Sequence, residues 1–564
     1  MHRYGMRYFS PVAGGGEWVT GCENLRHLES GRFRGDAQER GWVLTVIMAA
    51  VAAAAVVLLP LPASCRPINP ITLDGERRPS PFPPGFLFGT ASSSYQYEGG
   101  YMADGKGLSN WDVFTHNKSD NIEDGSNGDV ADDQYHLFQE DIDIMASLGL
   151  NSYKFSISWA RILPKGRYGT INTEGIKYYN TLIDALLLKD IKPFVVLNHF
   201  DIPQELENRY KAWLSPELQE DFGYFADICF KNFGDRVKHW VTFNEPNMFI
   251  PLGYRSGDYP PNRCSKPFGN CSQGDSEKEP FLAGHNVILA HAAAVNIYRT
   301  KYQEEQGGQI GFAVHTFWYE PVSNSTADKL AAERGQSFFS NWFLDPIIYG
   351  RYPKEMKDIL GSLLPEFSKE ELEKLKTGID FIAVNHYTSF YVQDCIYSDC
   401  GPLKSNNKVE GFIGTSSFKN GIPIGEATGM GILYVYPQGM EKIVTYLKER
   451  YNNTPLYIAE NGYSERANSQ SNIEELLYDI RRVNFMAKYI DSLSTAMRKG
   501  ADVRGYFAWS LLDNFEWLYG YTLHFGLYHV DRVTLKRTPR LSASWYKQFI
   551  AEQKRAEIPA PKFL

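Results

Sequence analysis

Residues 238–246 read KHWVTFNEP. Val241 and Phe243 alternate with Trp240 and Thr242 at the two-residue period of a strand, and the run stops on an amide, a carboxylate and a proline, where the chain must turn. An unpaired buried carboxylate is expensive, so Glu245 is paired, solvated at a strand end, or employed. Seven more short apolar runs lie along the chain: FLFGTAS (86–92), SYKFSIS (152–158), KPFVVLNHF (192–200), QIGFAVHT (309–316), DFIAVNHY (380–387), PLYIAEN (455–461) and VRGYFAWS (503–510). Between the early runs the helical period is explicit, with Tyr135, Phe138, Ile142, Met145 and Leu148 in one segment and Ile176, Tyr179, Ile183 and Leu186 in the next. Near-continuous apolar strands alternating with helices predict an α/β chain closed into a single (β/α)8 TIM barrel with extended βα loops. An open doubly wound sheet is the competing architecture; no Gly-x-Gly-x-x-Gly follows a strand to support it.

A barrel gathers its working groups at the C-terminal ends of its strands. Five runs end in polar residues: Asn198 and His199, Asn244 and Glu245, Asn385 with His386 and Tyr387, Glu460 and Asn461, Trp509 and Ser510. One such end is a cap; five at one rim predict a site. Glu245 and Glu460 end the fourth and seventh strands, across the mouth from each other, and two carboxyls facing one centre can divide acid and nucleophile roles.

The remaining sequence bounds the setting. The 564-residue chain carries a formal charge of -8 and shows no basic face, which argues against nucleic-acid binding. After residue 80 no linker or low-complexity tract interrupts the chain, so 81–555 is read as one catalytic domain, preceded by a short lead-in over 66–80. Residues 1–65 are read as an N-terminal extension with a signal peptide, because Trp42–Leu61 runs without a charge and is followed by PASC, with Met48 an alternative start. An uncleaved signal anchor, which would attach the protein to a membrane, is the rival reading. Either leads into the secretory route, toward the cell wall or vacuole. Cys264 with Cys271 and Cys395 with Cys400 bracket short loops and are expected as two local disulfides; Cys229 is expected as a buried thiol, and Cys22 and Cys65 fall in or near the leader. Asn117, Asn270, Asn324 and Asn452 head N-glycosylation triplets. GGYMADGKG (99–107) approaches a phosphate-binding loop, but Gly107 stands where a Ser or Thr would hold magnesium. No metal-ligand spacing and no esterase elbow are present, so neither metal nor cofactor is expected.

TFNEP and ENG, together with FLFGTASSSYQYEG and FAWSLLDNFEWLYGY, resemble the family 1 glycoside hydrolases, and in particular the plant β-glucosidases, over about residues 80–550. The resemblance implies a retaining enzyme acting on small β-glucosides, with Glu245 as general acid and base and Glu460 as nucleophile. It also implies a glucose cradle of Gln96, His199, Asn244, Asn385, Tyr387, Trp509, Glu516, Trp517 and Phe525. These types suit the task, since amides and carboxylates bond hydroxyls and indole faces stack on a sugar ring.

Two positions depart from the family. Ala459 stands before the nucleophile where Thr is usual, and Ile432 stands where many relatives place a Trp against the leaving group. The Cys395/Cys400 loop and LYVYPQGMEK look like the branch acting on monolignol and other phenolic glucosides. Beside hydrolysis stand two rivals: a transglucosidase passing the same glucosyl group to an alcohol or phenolic acceptor, and a non-catalytic sugar binder, which predicts loss of one glutamate.

Overall fold

The computed structural model describes residues 81–398, 400, 407–466 and 472–557. The expected leader, the lead-in, Cys22 and Cys65 lie outside those residues. All eight expected strands form: β1 Leu87–Ala91, β2 Ser152–Ser156, β3 Lys192–Asn198, β4 His239–Asn244, β5 Gln309–Pro321, β6 Phe381–Asp394, β7 Leu456–Asn461 and β8 Val503–Ala508. Each pairs in parallel with the next, β8 returns to β1, and the ring is closed. Helices cover it in turn: α1 Gln134–Leu148, α2 Thr173–Leu187, α3 Glu217–Phe233, α4 Glu279–Lys301, α5 Thr326–Phe338, α6 Gln438–Arg450, α7 Ile480–Arg498 and α8 Leu541–Glu557. The architecture is a (β/α)8 barrel.

Local sequence accounts for these elements. In α2 the Asn172 side chain accepts from the Glu174 N–H at 3.2 Å, capping the first turn, and Tyr179, Leu182, Ile183 and Leu186 form the buried face. α1 buries Tyr135, Ile142, Met145 and Leu148 and ends on Gly149, whose φ of 76° suits a residue without a side chain.

Alternate strand residues fill the barrel interior. Phe194, Phe381, Tyr457 and Phe507 meet there at centroid distances of 5.0 to 5.5 Å, and Val196, Val241, Ala313, Ala383 and Ala459 join the same cluster. The interior is therefore a packed plug, above which the polar side chains of the mouth collect. β5 and β6 run on past the barrel, pairing from Gly311 and Phe381 out to Pro321 and Val392, and Ile413–Ser416 adds antiparallel to the outer part of β6. Both local disulfides are formed and Cys229 is a buried thiol.

Candidate active site

Glu245 follows the last residue of β4 with φ 45° and ψ 53°, in the left-handed region that a side chain adopts only at a cost. That turn lets Asn244 and Glu245, although adjacent, both reach the mouth, and Pro246 then opens a short helix. Glu460 arrives differently. The β6–β7 register slips between Ile458 and Glu460, so Ala459 faces the interior cluster and Glu460 still reaches the mouth. Gly462 follows because a Cβ there would lie 2.0 Å from the Trp509 carbonyl oxygen.

A continuous network joins the two carboxyls. Oε1 of Glu245 accepts from Asn385 Nδ2 at 2.8 Å and meets His315 Nδ1 at 2.9 Å. Asn385 Nδ2 also donates to Asn244 Oδ1 at 3.1 Å. The Lys154 ammonium reaches that same oxygen at 3.0 Å and Glu460 Oε1 at 2.6 Å. Tyr387 donates its hydroxyl to the other Glu460 oxygen at 2.8 Å. Both glutamates are buried, at 8% and 4% exposure, so these partners rather than water set their charge.

Burial pushes Glu460 up against the pull of Lys154, and a charge on Glu245 pushes it further. Burial also raises Glu245, but His315 and Asn385 outweigh it and hold that carboxyl below the ordinary range. Lys154, bound to Glu460, is the cation that favours a charge on Glu460.

The cradle residues split into two groups. Asn244 spends its oxygen on Lys154 and Asn385, so its Nδ2 donates to His199 Nε2 at 3.1 Å. Burial and Lys154 hold His199 well below the usual histidine range, leaving a neutral ring with its proton on Nδ1. That Nδ1, Asn385 Oδ1 and Glu516 Oε2 are buried polar atoms without a partner among the described residues. Burial, then the charge of Glu460, pushes the Glu516 carboxyl well up, so it can donate as well as accept. Such uncommitted capacity is what sugar hydroxyls satisfy. Trp509 and Trp517 both stack on His199 at interplanar angles of 29° and 26°, with centroids at 6.0 and 6.1 Å, and Phe525 meets Tyr387 edge-on. Gln96 has a supporting place: both its amide bonds, to Asn514 and the Phe515 carbonyl at 2.9 Å, hold the segment that carries Glu516.

Some polar strand ends turn away from the mouth. Asn198 donates to the Asp201 carbonyl, Asn461 bonds the His386 carbonyl and the Tyr506 hydroxyl, and His386 sits against Thr316 behind the strand. Neighbours on a strand point to opposite faces, so a polar pair at a strand end supplies one inward group unless a turn or bulge intervenes. Sequence reasoning missed Lys154 and His315. A lysine inside the apolar run SYKFSIS was the available signal for the first, and the HT ending of the fifth run for the second.

Asp513, His524 and His529 also come together within 4.8 Å. Arg540 holds both Asp513 oxygens at 2.9 and 2.7 Å, so this group is an ion-pair network. Lys106, in the loop that approaches a phosphate-binding motif, is committed to Asp112 at 2.8 Å.

The glycosyl hydrolase family 1 model matches residues 78–555. The chain belongs to glycosyl hydrolase family 1. Its relatives there include plant β-glucosidases. It is 58% identical over 473 residues to β-glucosidase 47 of Arabidopsis thaliana, covering 84% of this chain and 85% of that protein. It is 57% identical to the probable inactive β-glucosidase 14 of Oryza sativa subsp. japonica, over 84% and 91%, and 52% identical to the coniferin β-glucosidase of Pinus contorta, over 85% and 93%. Among solved structures, a mutant rice β-glucosidase in a covalent complex with glucose superposes at a TM-score of 0.80, with 46% identity, covering 83% of this chain and 99% of that one.

Proposed function

We propose that this family 1 enzyme is a retaining β-glucosidase that hydrolyses phenolic, monolignol-like β-D-glucosides by double displacement. The observation that carries the proposal is the buried network running from Glu245 through Asn385, Asn244 and Lys154 to Glu460. Glu460, held by Lys154 and Tyr387, attacks C1 while Glu245 gives its proton to the departing oxygen. A glucosyl ester on Glu460 results. Glu245 then takes a proton from water, which attacks C1 and releases glucose with the original configuration. The covalent glucose complex of the rice relative supports such an intermediate.

Glucose recognition falls to the uncommitted atoms of His199, Asn385 and Glu516, to the second amide hydrogen of Asn244 and to the Trp509 and Trp517 faces. The phenolic aglycone is supported by the coniferin enzyme among the relatives and by the outer mouth. There Met430 and Ile432 pack on the Trp509 cluster, and Met248 packs on Phe317 and Phe339. A non-catalytic role, which the name of the rice relative raises, predicts loss of a glutamate; this chain keeps both. We also assign the protein to the secretory route, supported by the charge-free run over 42–61, two local disulfides and four exposed glycosylation triplets.

The test is product analysis on a phenolic β-glucoside, with and without an added alcohol acceptor. Equal release of glucose and aglycone supports hydrolysis. An excess of aglycone matched by a new β-glucoside makes the enzyme a transglucosidase. Glu460→Ala is expected to lose turnover and to regain part of it with azide or formate; no rescue overturns the nucleophile assignment.

A further inference from the structure

His315 stands on β5 with Nδ1 2.9 Å from Oε1 of Glu245 and its side chain 8% exposed. Four residues lock it there. Asn247, two residues beyond Glu245, donates to the His315 carbonyl at 2.8 Å and accepts the His315 N–H at 3.1 Å. The imidazole lies flat against Tyr387, 5.7 Å between centroids at 7°. Phe317 and Phe339 close its edge at 4.7 and 5.9 Å. Neither the acid and nucleophile roles nor the glucose cradle uses this residue.

Two features of the ring decide what it does. Nε2 is buried and meets no partner among the described residues, so an imidazolium would bury an unsatisfied N–H there, which is costly. The neutral ring with its proton on Nδ1 fits the site. Nδ1–H and the Asn385 amide then both donate to Oε1, which leaves Oε2 as the oxygen that carries and delivers the acid proton. The other titratable neighbours cannot take this part. Lys154 is committed to Glu460. Burial, then the charge of Glu460, pushes the Tyr387 phenol far up. Burial pushes His386, behind β6, down to about 3. Across the mouth, burial raises both Glu516 and Tyr259 well above their usual ranges.

We propose that His315 is a positioning residue for the acid–base glutamate: with its proton on Nδ1 it pins Oε1 of Glu245, leaves Oε2 as the oxygen that carries the acid proton, and steadies the carboxylate that remains once that proton has left. The inference rests on the reading of Glu245 as acid and base. As C1–O breaks, the Oε2 proton passes to the leaving oxygen, and the carboxylate left behind retains its two donors. In the second step Oε2 takes the proton of the attacking water and the starting state returns.

The experiment measures kcat/KM against pH for His315→Phe and His315→Gln, each with an activated and a poor aryl leaving group. Phe keeps the stack on Tyr387 and removes the donor. The alkaline limb moves up by about one pH unit, and the poor leaving group loses about tenfold while the activated one loses less than about threefold. Gln restores a non-titrating N–H and returns the limb to the wild-type position. An unmoved limb in the Phe variant, or equal loss on both substrates, reduces His315 to packing and overturns the proposal. Should the Phe variant not fold, nitrogen NMR of the wild-type ring decides, since an imidazolium at the pH optimum is equally fatal. Glu245→Gln with azide separates the two claims: formation of β-glucosyl azide upholds the acid–base reading whatever His315 does, and its absence removes that reading.

Discussion

Lys154 illustrates how one side chain changes the chemistry of another. Its charge is completely buried and its partner Glu460 lies 306 residues away in sequence. Without it, burial and the neighbouring Glu245 would raise the Glu460 carboxyl with the Tyr387 hydroxyl left to oppose them, and a protonated carboxyl is no nucleophile. The sign follows: in Lys154→Ala the acid limb of the rate profile moves to higher pH, because Glu460 then ionises later. The rate falls roughly 100-fold, the scale of losing one preorganised electrostatic partner. Lys154→Arg restores the limb; a limb that stays in place in the Ala variant means Lys154 does not set the charge on Glu460. The same contacts explain why Ala459 is tolerable. Lys154 and Tyr387 already bond both Glu460 oxygens, so the hydroxyl of a Thr would add at most one more donor to a carboxyl that already has two.

Between elements, the junction of β4 and β5 carries most of the site's precision. The left-handed turn at Glu245 is a local strain of order 1–3 kcal/mol, and surrounding bonds must hold it. The Glu245 N–H donates to the Ala313 carbonyl at 3.0 Å, and Asn247 closes its pair of bonds on His315. In Asn247→Ala both His315 backbone groups lose their buried partner. Each costs about 1–3 kcal/mol when left unsatisfied, so a lower thermal midpoint is expected, together with an upward shift of the alkaline limb in the same direction as His315→Phe. A lower midpoint with an unchanged limb would separate the clamp from the acid. The motif NEPN was legible as a turn after a strand. That its second asparagine grips the neighbouring strand was not, because the grip depends on the β4–β5 register.

Across the whole molecule, one closed barrel brings together groups from β2, β3, β4, β5, β6, β7 and the segment after β8, while the features on which the proposed secretory route rests lie on its outside. Asn117, Asn270, Asn324 and Asn452 are all exposed, and disulfides such as Cys264–Cys271 persist in oxidising surroundings. Protein isolated from its own tissue is therefore expected to lose mass on endoglycosidase treatment. An unchanged mass, or a soluble reduced pool in the cytosol, would contradict the secretory assignment.

Periodicity and strand-end composition by themselves determined the barrel, the rim that carries chemistry and the two glutamates, because alternation and apolar run length are properties of neighbouring residues. The motifs named most of the side chains that the structure gathers at the mouth for the same reason. Only the tertiary structure decided how those residues are used. Gln96 supports the Glu516 segment, and His386 and Asn461 turn behind the strands. Lys154 and His315, two bases inside apolar runs, stand beside Glu460 and Glu245. A proton's location depends on burial and on charges a few ångströms away, and those distances exist only once strands far apart in sequence have closed into one ring.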